Sequence, residues 1–346
     1  MARPPRIEYP GAFYHVYASG AHDQNAFQND ADYASFLNFL AESSKKTGWK
    51  IHGYCLIPNG YRLLVQTPKP NLVSGMTWLQ NSYTMGYNSR RDRHSGAVFG
   101  DRYRSVPVEI QPDDQGGAFY RAMLDFIHLE PFRAGLIQPT DDLRLYRWSS
   151  AHFFDMAIGM RRSWQEAVYG LKAFGFSDTA VGRNQFIERL HDRRRLEPPE
   201  TVGVSTVAGQ SPHSSLRRGW YFGSTGFCDE LNRVIRETAS AAAENSESKS
   251  GDELAGKILQ FGLLKLQLTP ENLATLPKSD WRKALLANLL TRHTTVTLGW
   301  VAQRLKMGSR SGACRWANRF ERELSTNPER ARDAERILAW ARADLN

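Results

Sequence analysis

Arg90, Arg91, Arg93, Arg102 and Arg104 lie close together in the chain and are interleaved with Tyr83, Tyr87, Phe99 and Tyr103. Guanidinium groups hold phosphates and aromatic rings stack on unpaired bases, so this cluster, with Tyr103 in its midst, is expected to form a single-strand nucleic-acid surface. On periodicity alone, a solvated basic face over core aromatics is the simpler reading. A second group, Arg310, Arg315 and Arg319, falls in a short segment near the carboxyl terminus. Other side chains with chemical potential are scattered. His15, His52 and His128 stand singly and read as structural histidines, and Cys55, Cys228 and Cys314 have no paired spacing, so neither a disulfide framework nor a zinc knuckle is indicated. No Ser-His-Asp order, Cys-His pairing or phosphate loop is present, and no cofactor or metal is expected from the residues as they stand.

The elements that must carry these residues follow from periodicity. Ala12 to Ser19, Trp49 to Ile57, Tyr61 to Thr67 and Ser105 to Ile110 read as strands, the middle pair divided by the Pro58-Asn59-Gly60 turn. Helical spacing marks Asp30 to Lys46, Asn71 to Asn88 and Phe119 to His128, the last ending near Pro131 because proline cannot continue a helix. An antiparallel sheet with helices against it gives an α+β fold. Between Gly159 and Gln267 the patterning weakens around Pro198-Pro199, a Ser/Thr/Gly stretch from Thr201 to Ser215, and Ala239 to Gly251. Beyond it, Trp281 to Thr291 has an apolar stripe of Ala284, Leu285, Leu289 and Leu290. Thr297 is placed to cap a helix to Leu305, Met307-Gly308 supplies a turn, and Ser309 or Ser311 caps a third helix carrying the arginines. Helix, short turn and Arg-bearing helix are the parts of a helix-turn-helix, with a plain three-helix bundle as the alternative. Three regions are therefore expected: residues 1–158, a partly structured connection over 159–267, and a helical DNA-binding region over 268–346.

The 346 residues supply enough apolar side chain, 41%, for real cores. The formal net charge is +9, and 14 Lys or Arg against 8 Asp or Glu between Pro270 and Asn346 place +6 of it in the last quarter. That balance favours a polyanionic partner. No run approaches the apolar length of a membrane span and the amino terminus lacks an apolar signal core, so a cytoplasmic protein without a membrane partner is expected.

Several ordered blocks resemble one family. Gly48-Trp49-Lys50-Ile51-His52-Gly53-Tyr54-Cys55-Leu56-Ile57-Pro58-Asn59 resembles the strand and turn of the REP-associated tyrosine transposases, members of the single-tyrosine HUH group. The opening through Tyr14-His15-Val16, the segment Gly100-Asp101-Arg102-Tyr103-Arg104-Ser105, the helix from Asp125 to Leu136, and Trp148-Ser149-Ser150 are similar to further family blocks in the same order, and Arg217 to Ser224 resembles a block of longer members. The resemblance implies a ferredoxin-like sheet, recognition of single-stranded or hairpin DNA, and an ancestral metal-dependent strand-cleaving activity.

That ancestral chemistry lacks its parts here. The family places two histidine ligands where this chain has Gly60 and Arg62, and the nucleophilic tyrosine falls on Phe126. Glycine has no donor atom, a guanidinium cannot coordinate a cation, and phenylalanine has no hydroxyl. The third ligand position, one turn after the tyrosine, is Glu130 where the family has Asn. Residues 126 and 130 share a helix face, and two readings stand: Arg62 and Glu130 form an ion pair in place of the metal, still able to meet a phosphate, or the two positions drifted independently after function was lost. Gly60→His, Arg62→His and Phe126→Tyr together are expected to restore metal binding more readily than cleavage. The resulting reading is a DNA-binding protein with an inactive nuclease site, holding single-stranded or hairpin DNA and duplex DNA in a regulatory or architectural role, with dimers or a larger assembly open and RNA not distinguished from single-stranded DNA. Two alternatives stand beside it: an active transposase using unorthodox residues, and a protein-interaction subunit reusing the old DNA groove.

Overall fold

The computed structural model describes residues 6–93, 96–100, 102–110, 117–138, 140–196, 217–218, 220–244, 253–324 and 326–343. Pro198-Pro199, the Thr201 to Ser215 stretch, Asp101, the first five residues and the end of the Ala239 to Gly251 stretch lie outside them. Two compact units are present, one of residues 1–72 and 79–246 and one of 73–78 with 247–346.

The first unit is α+β. In chain order it runs β1 (Ala12–Ser19), α1 (Asp30–Thr47), β2 (Lys50–Ile57), β3 (Gly60–Thr67), α2 (Leu72–Ser89) and β4 (Arg104–Val108). The sheet order is β2-β3-β1-β4, every neighbouring pair antiparallel, and it is extended beyond β4 by β6 (Tyr221–Phe222), which runs parallel to β4, and β5 (Arg217–Arg218). The period of two along a strand divides the side chains between faces. Tyr61 packs with Phe36 of α1 and with Phe99 on one side, while Arg62 points to the other.

That second face is covered by α3 (Gly117–His128), the single turn α4 (Glu130–Arg133), α5 (Ala151–Asp155), α6 (Ala167–Ala173) and α7 (Ala180–Arg195). Residues 159–195, read from the sequence as the start of a connection, thus pack on this unit: α6 meets β2 and α3, and Phe186 of α7 stacks on Phe154 of α5. The outer edge of β2 is covered by Trp148 to Ser150 and by Trp164 to Glu166 of that segment. The Leu56 amide donates to the Trp148 carbonyl, Ser150 to Tyr54, and Glu166 to Ile51, at 2.8–3.0 Å. An edge satisfied in this way offers no row of free amides to another chain. The helix α8 (Thr225–Glu244) follows β6.

The second unit is helical: α9 (Glu253–Lys265), α10 (Pro270–Thr275), α11 (Trp281–His293), α12 (Leu298–Arg304), α13 (Arg310–Leu324) and α14 (Pro328–Ala343). Its central helix is α11, whose residues Lys283 to Leu290 are all buried, so the apolar stripe read from the sequence is part of a helix enclosed on all sides. Even Lys283 is held inside, its Nζ donating to the Leu273 and Leu276 carbonyls at 2.7 and 2.9 Å. Thr297 caps α12 by accepting from the Trp300 amide, and Ser309, rather than Ser311, accepts from Gly312 at the start of α13. Lys306 and Gly308, both with positive φ, turn the chain between those helices.

Candidate functional site

Arg62 sits in the centre of the sheet, with Tyr17 of β1 and Cys55 of β2 as its strand partners. Above it, α3 delivers Phe126 and α4 delivers Glu130 and Arg133. Arg62 Nε lies 2.8 Å from Glu130 Oε1, so the expected ion pair is present. Arg133 adds a second cation that sequence reading missed. Its Nη2 and Nε reach Glu130 Oε2 at 3.1 and 3.3 Å, and Nη2 also donates to the Phe126 carbonyl. The available signal was its spacing of three residues from Glu130, which places both on one helix face. The Phe126 ring lies against both guanidinium groups, 5.0 Å from Arg62 and 4.3 Å from Arg133, with the His15 ring edge-on at 5.8 Å.

Burial decides what this cluster can do. Arg62 is 6% exposed, Glu130 2% and Arg133 1%. Burial by itself would raise the Glu130 carboxyl, but the charges of Arg62 and Arg133 outweigh it and hold the group below the ordinary carboxylate range. Cys55 is pushed far up by burial and stays a thiol. The expectation that Arg62 remains able to meet a phosphate is therefore corrected: its guanidinium is committed to Glu130 and roofed by Phe126, and the adjoining cleft beside Tyr17 and Gly60 holds about 10 Å³.

The Gly60 position is equally closed to the ligand the resemblance implies. A Cβ built there would stand 2.2 Å from the Ala18 carbonyl oxygen and 3.0 Å from the Ser19 Cα, both backbone atoms of the neighbouring strand. Histidine cannot enter without parting β1 from β3. Restoring both histidines is thus not a matter of side chains alone. The residues present do not fit a divalent metal. Gly60 supplies no donor, Arg62 and Arg133 bring positive charge, and the one carboxylate is already shared between them. Among the described residues no group of three or more His, Cys, Asp or Glu side chains is arranged to hold a metal ion.

The amino-terminal basic cluster divides into anchored and free members. Arg90 and Arg91 both bind the fully buried carboxylate of Asp32, at 3.0 and 2.6 Å, and Arg91 also stacks on Tyr87. Burial would raise that carboxyl, but the hydrogen bonds from Arg91, the Gln28 amide and Arg90 keep it below its usual range. Arg93, Arg102 and Arg104 are exposed. The aromatic half of the expectation is corrected. Tyr83, Tyr87, Phe99 and Tyr103 are 0%, 3%, 6% and 5% exposed, so their rings belong to the core and offer no face to a base. Arg6 lies 3.7 Å over the Tyr103 ring and completes its cover.

In the second unit Arg310, Arg315 and Arg319 are all exposed. They do not share one face. At about 100° per residue, Arg315 and Arg319 align while Arg310 is turned about 140° from Arg315. Arg310 instead leans over α12, where a Cβ on Gly299 would come 3.0 Å from its Nε.

The candidates for an alternative nucleophile are enclosed. Tyr120 is fully buried and hydrogen-bonded to His52 Nδ1 at 3.0 Å, and His52 Nε2 faces Gln66 Oε1 at 3.3 Å. Burial lowers His52 to about 4. His128 is lowered to about 3, again by burial, with Arg189 adding to the effect. Its Nε2 meets Ser150 Oγ at 2.7 Å, and that oxygen also accepts from the Tyr54 amide. Both histidines are neutral structural bridges between α3 and its surroundings, as their isolated placement in the sequence suggested.

No protein-family model and no curated protein matches the chain. It is similar to a solved structure of a REP associates tyrosine transposase bound to a REP hairpin, at 13% identity and a TM-score of 0.37, over 47% of this chain and 89% of that one. At that score the likeness carries no argument about function.

Proposed function

We propose that this chain is a DNA-binding protein descended from a REP-associated tyrosine transposase, in which the cleavage centre has become a structural ion-pair cluster. The observation that carries the reading is the buried Arg62–Glu130–Arg133 cluster roofed by Phe126, located where the resemblance puts metal and nucleophile. The strand and helix order βαββαβ with sheet order β2-β3-β1-β4 is that of a ferredoxin-like sheet, which supports the descent. Exposed Arg93, Arg102 and Arg104 are the phosphate contacts for a single-stranded or hairpin element, assisted by the remaining donors of Arg90 and Arg91. In the second unit, α12, the Lys306 to Gly308 turn and α13 act as a helix-turn-helix, with Arg315 and Arg319 on the face that meets duplex DNA and Arg310 at its start.

The test is incubation of the protein with a single-stranded hairpin and magnesium or manganese. No covalent protein–DNA adduct is expected on a denaturing gel, while a native gel shows binding that weakens steeply as salt rises. An adduct would overturn the inactive centre, and salt-insensitive binding would overturn a phosphate-based contact.

A further inference from the structure

A cleft of about 350 Å³ opens in the second unit between the start of α11 and the outer part of α13. Trp281, Trp316 and Phe320 line it together with Arg319, Glu323 and Ser279. Trp281 and Trp316 are only half-buried, although tryptophan in a helical unit would gain from full burial, so part of each indole stays in contact with water. The rings are braced by cations: Arg330 lies 4.7 Å over Trp281 without lining the cleft, and Arg319 lies 5.3 Å from the Trp316 ring. Glu323 is held by Arg330 from behind and stands 3.9 Å from Arg319 at the cleft. Two half-buried indoles, one exposed guanidinium and one carboxylate paired with arginine thus line an open space of ligand size.

We propose that this cleft is a binding site for an unpaired nucleotide of single-stranded DNA, with the base against the indoles and the phosphate on Arg319. The chemistry favours this occupant over a cationic one, because Arg319 and Arg330 outnumber Glu323 and would repel a quaternary ammonium or methylated lysine. A nucleotide satisfies all three chemistries at once. Its flat base stacks on tryptophan, its phosphate pairs with arginine, and an exocyclic amino group donates to the Glu323 carboxylate. Bases bearing that amino group are therefore preferred to thymine. The site gives the helical unit a contact to single strands that shares Arg319 with the duplex-facing side of α13, while the indoles serve the single strand alone. It rests on the nucleic-acid reading only for the class of partner.

Full-length protein is titrated with fluorescently labelled short oligodeoxycytidylate, oligothymidylate and a blunt duplex, read by anisotropy. Trp316→Ala is expected to weaken oligodeoxycytidylate binding about tenfold, with Trp316→Phe retaining most of it and duplex affinity nearly unchanged. Because Trp316 also packs against the core, Ser279→Glu serves as the second variant: it adds bulk and negative charge at an exposed position on the rim and should produce the same selective loss. Oligodeoxycytidylate affinity unchanged in Ser279→Glu, or wild-type protein that binds duplex but no oligonucleotide, overturns the cleft while leaving the nucleic-acid reading standing. Absence of binding to every probe removes both.

Discussion

At the residue scale, Glu130 is the group on which the buried ion-pair cluster depends. Its carboxylate compensates two buried guanidinium groups, and removing one partner of such a cluster costs far more than the cluster contributes, because desolvated charge is left behind. Glu130→Ala is expected to lower stability by about 3–5 kcal/mol in urea denaturation. A loss below about 1 kcal/mol would mean that Arg62 and Arg133 find water or other acceptors. Gly60 is the second constrained position. Gly60→Ala adds a single methyl group 2.2 Å from a backbone oxygen, and is expected to cost about 1–3 kcal/mol by parting β1 and β3. Full stability in that variant would show that the strands can yield. Of these residues, Gly60, Arg62, Phe126 and Glu130 were legible from the sequence because a missing donor atom is a property of the residue type. Arg133 was not, since its role depends on how the turn after α3 folds back over the ring of Phe126.

At the element scale, the polar bridges that hold α3 include Tyr120 to His52, Asp125 to Arg189, and His128 to Ser150. Two of them run through imidazoles that burial keeps neutral. The folded values of about 4 for His52 and about 3 for His128 lie below the unfolded value near 6.5, so the unfolded chain binds the extra protons first. Stability from these groups is complete above about pH 6.5 and is lost as pH falls toward their folded values. Between pH 6.5 and 5 each histidine is expected to remove roughly 2 kcal/mol, by the usual factor of about 1.4 kcal/mol per pH unit. Denaturation midpoints at neutral pH and pH 5 measure this, and His52→Gln should flatten part of the difference. An unchanged midpoint would indicate that these imidazoles reach water. The elements themselves were readable in advance, from β1 through α3 and again from α11 to α13, because alternation and caps are local signals. The packing of residues 159–195 against α3 was not, because its signal is distributed: Phe154 and Phe186 are far apart in sequence and meet only through the fold.

At the scale of the whole molecule, the +9 charge sets the expectation for nucleic-acid affinity. Each phosphate-contacting arginine should contribute about one unit to the slope of log affinity against log salt. Arg315→Ala is expected to weaken duplex binding by a similar factor across sequences and to lower that slope by about one, as read by anisotropy over a salt series. Asp32→Ala should behave differently. It frees Arg90 and Arg91 from their anchor, so a change in single-strand binding without a change in duplex binding would assign those arginines to the first unit's contact.

The sequence by itself determined residue types, charge, strand and helix order, and the absence of a donor atom at Gly60 and of a hydroxyl at Phe126. These are set by covalent identity and short-range periodicity, which need no knowledge of distant contacts. Only the tertiary structure decided exposure and partnership. It placed Tyr103 and its aromatic neighbours in the core, tied Arg90 to an aspartate 58 residues away, buried Arg62 beneath Phe126, and left Trp281 and Trp316 at an open cleft. The physical reason is that desolvation and charge pairing act between surfaces brought together by folding, so residues remote along the chain decide whether an arginine or an aromatic ring faces solvent or is spent inside.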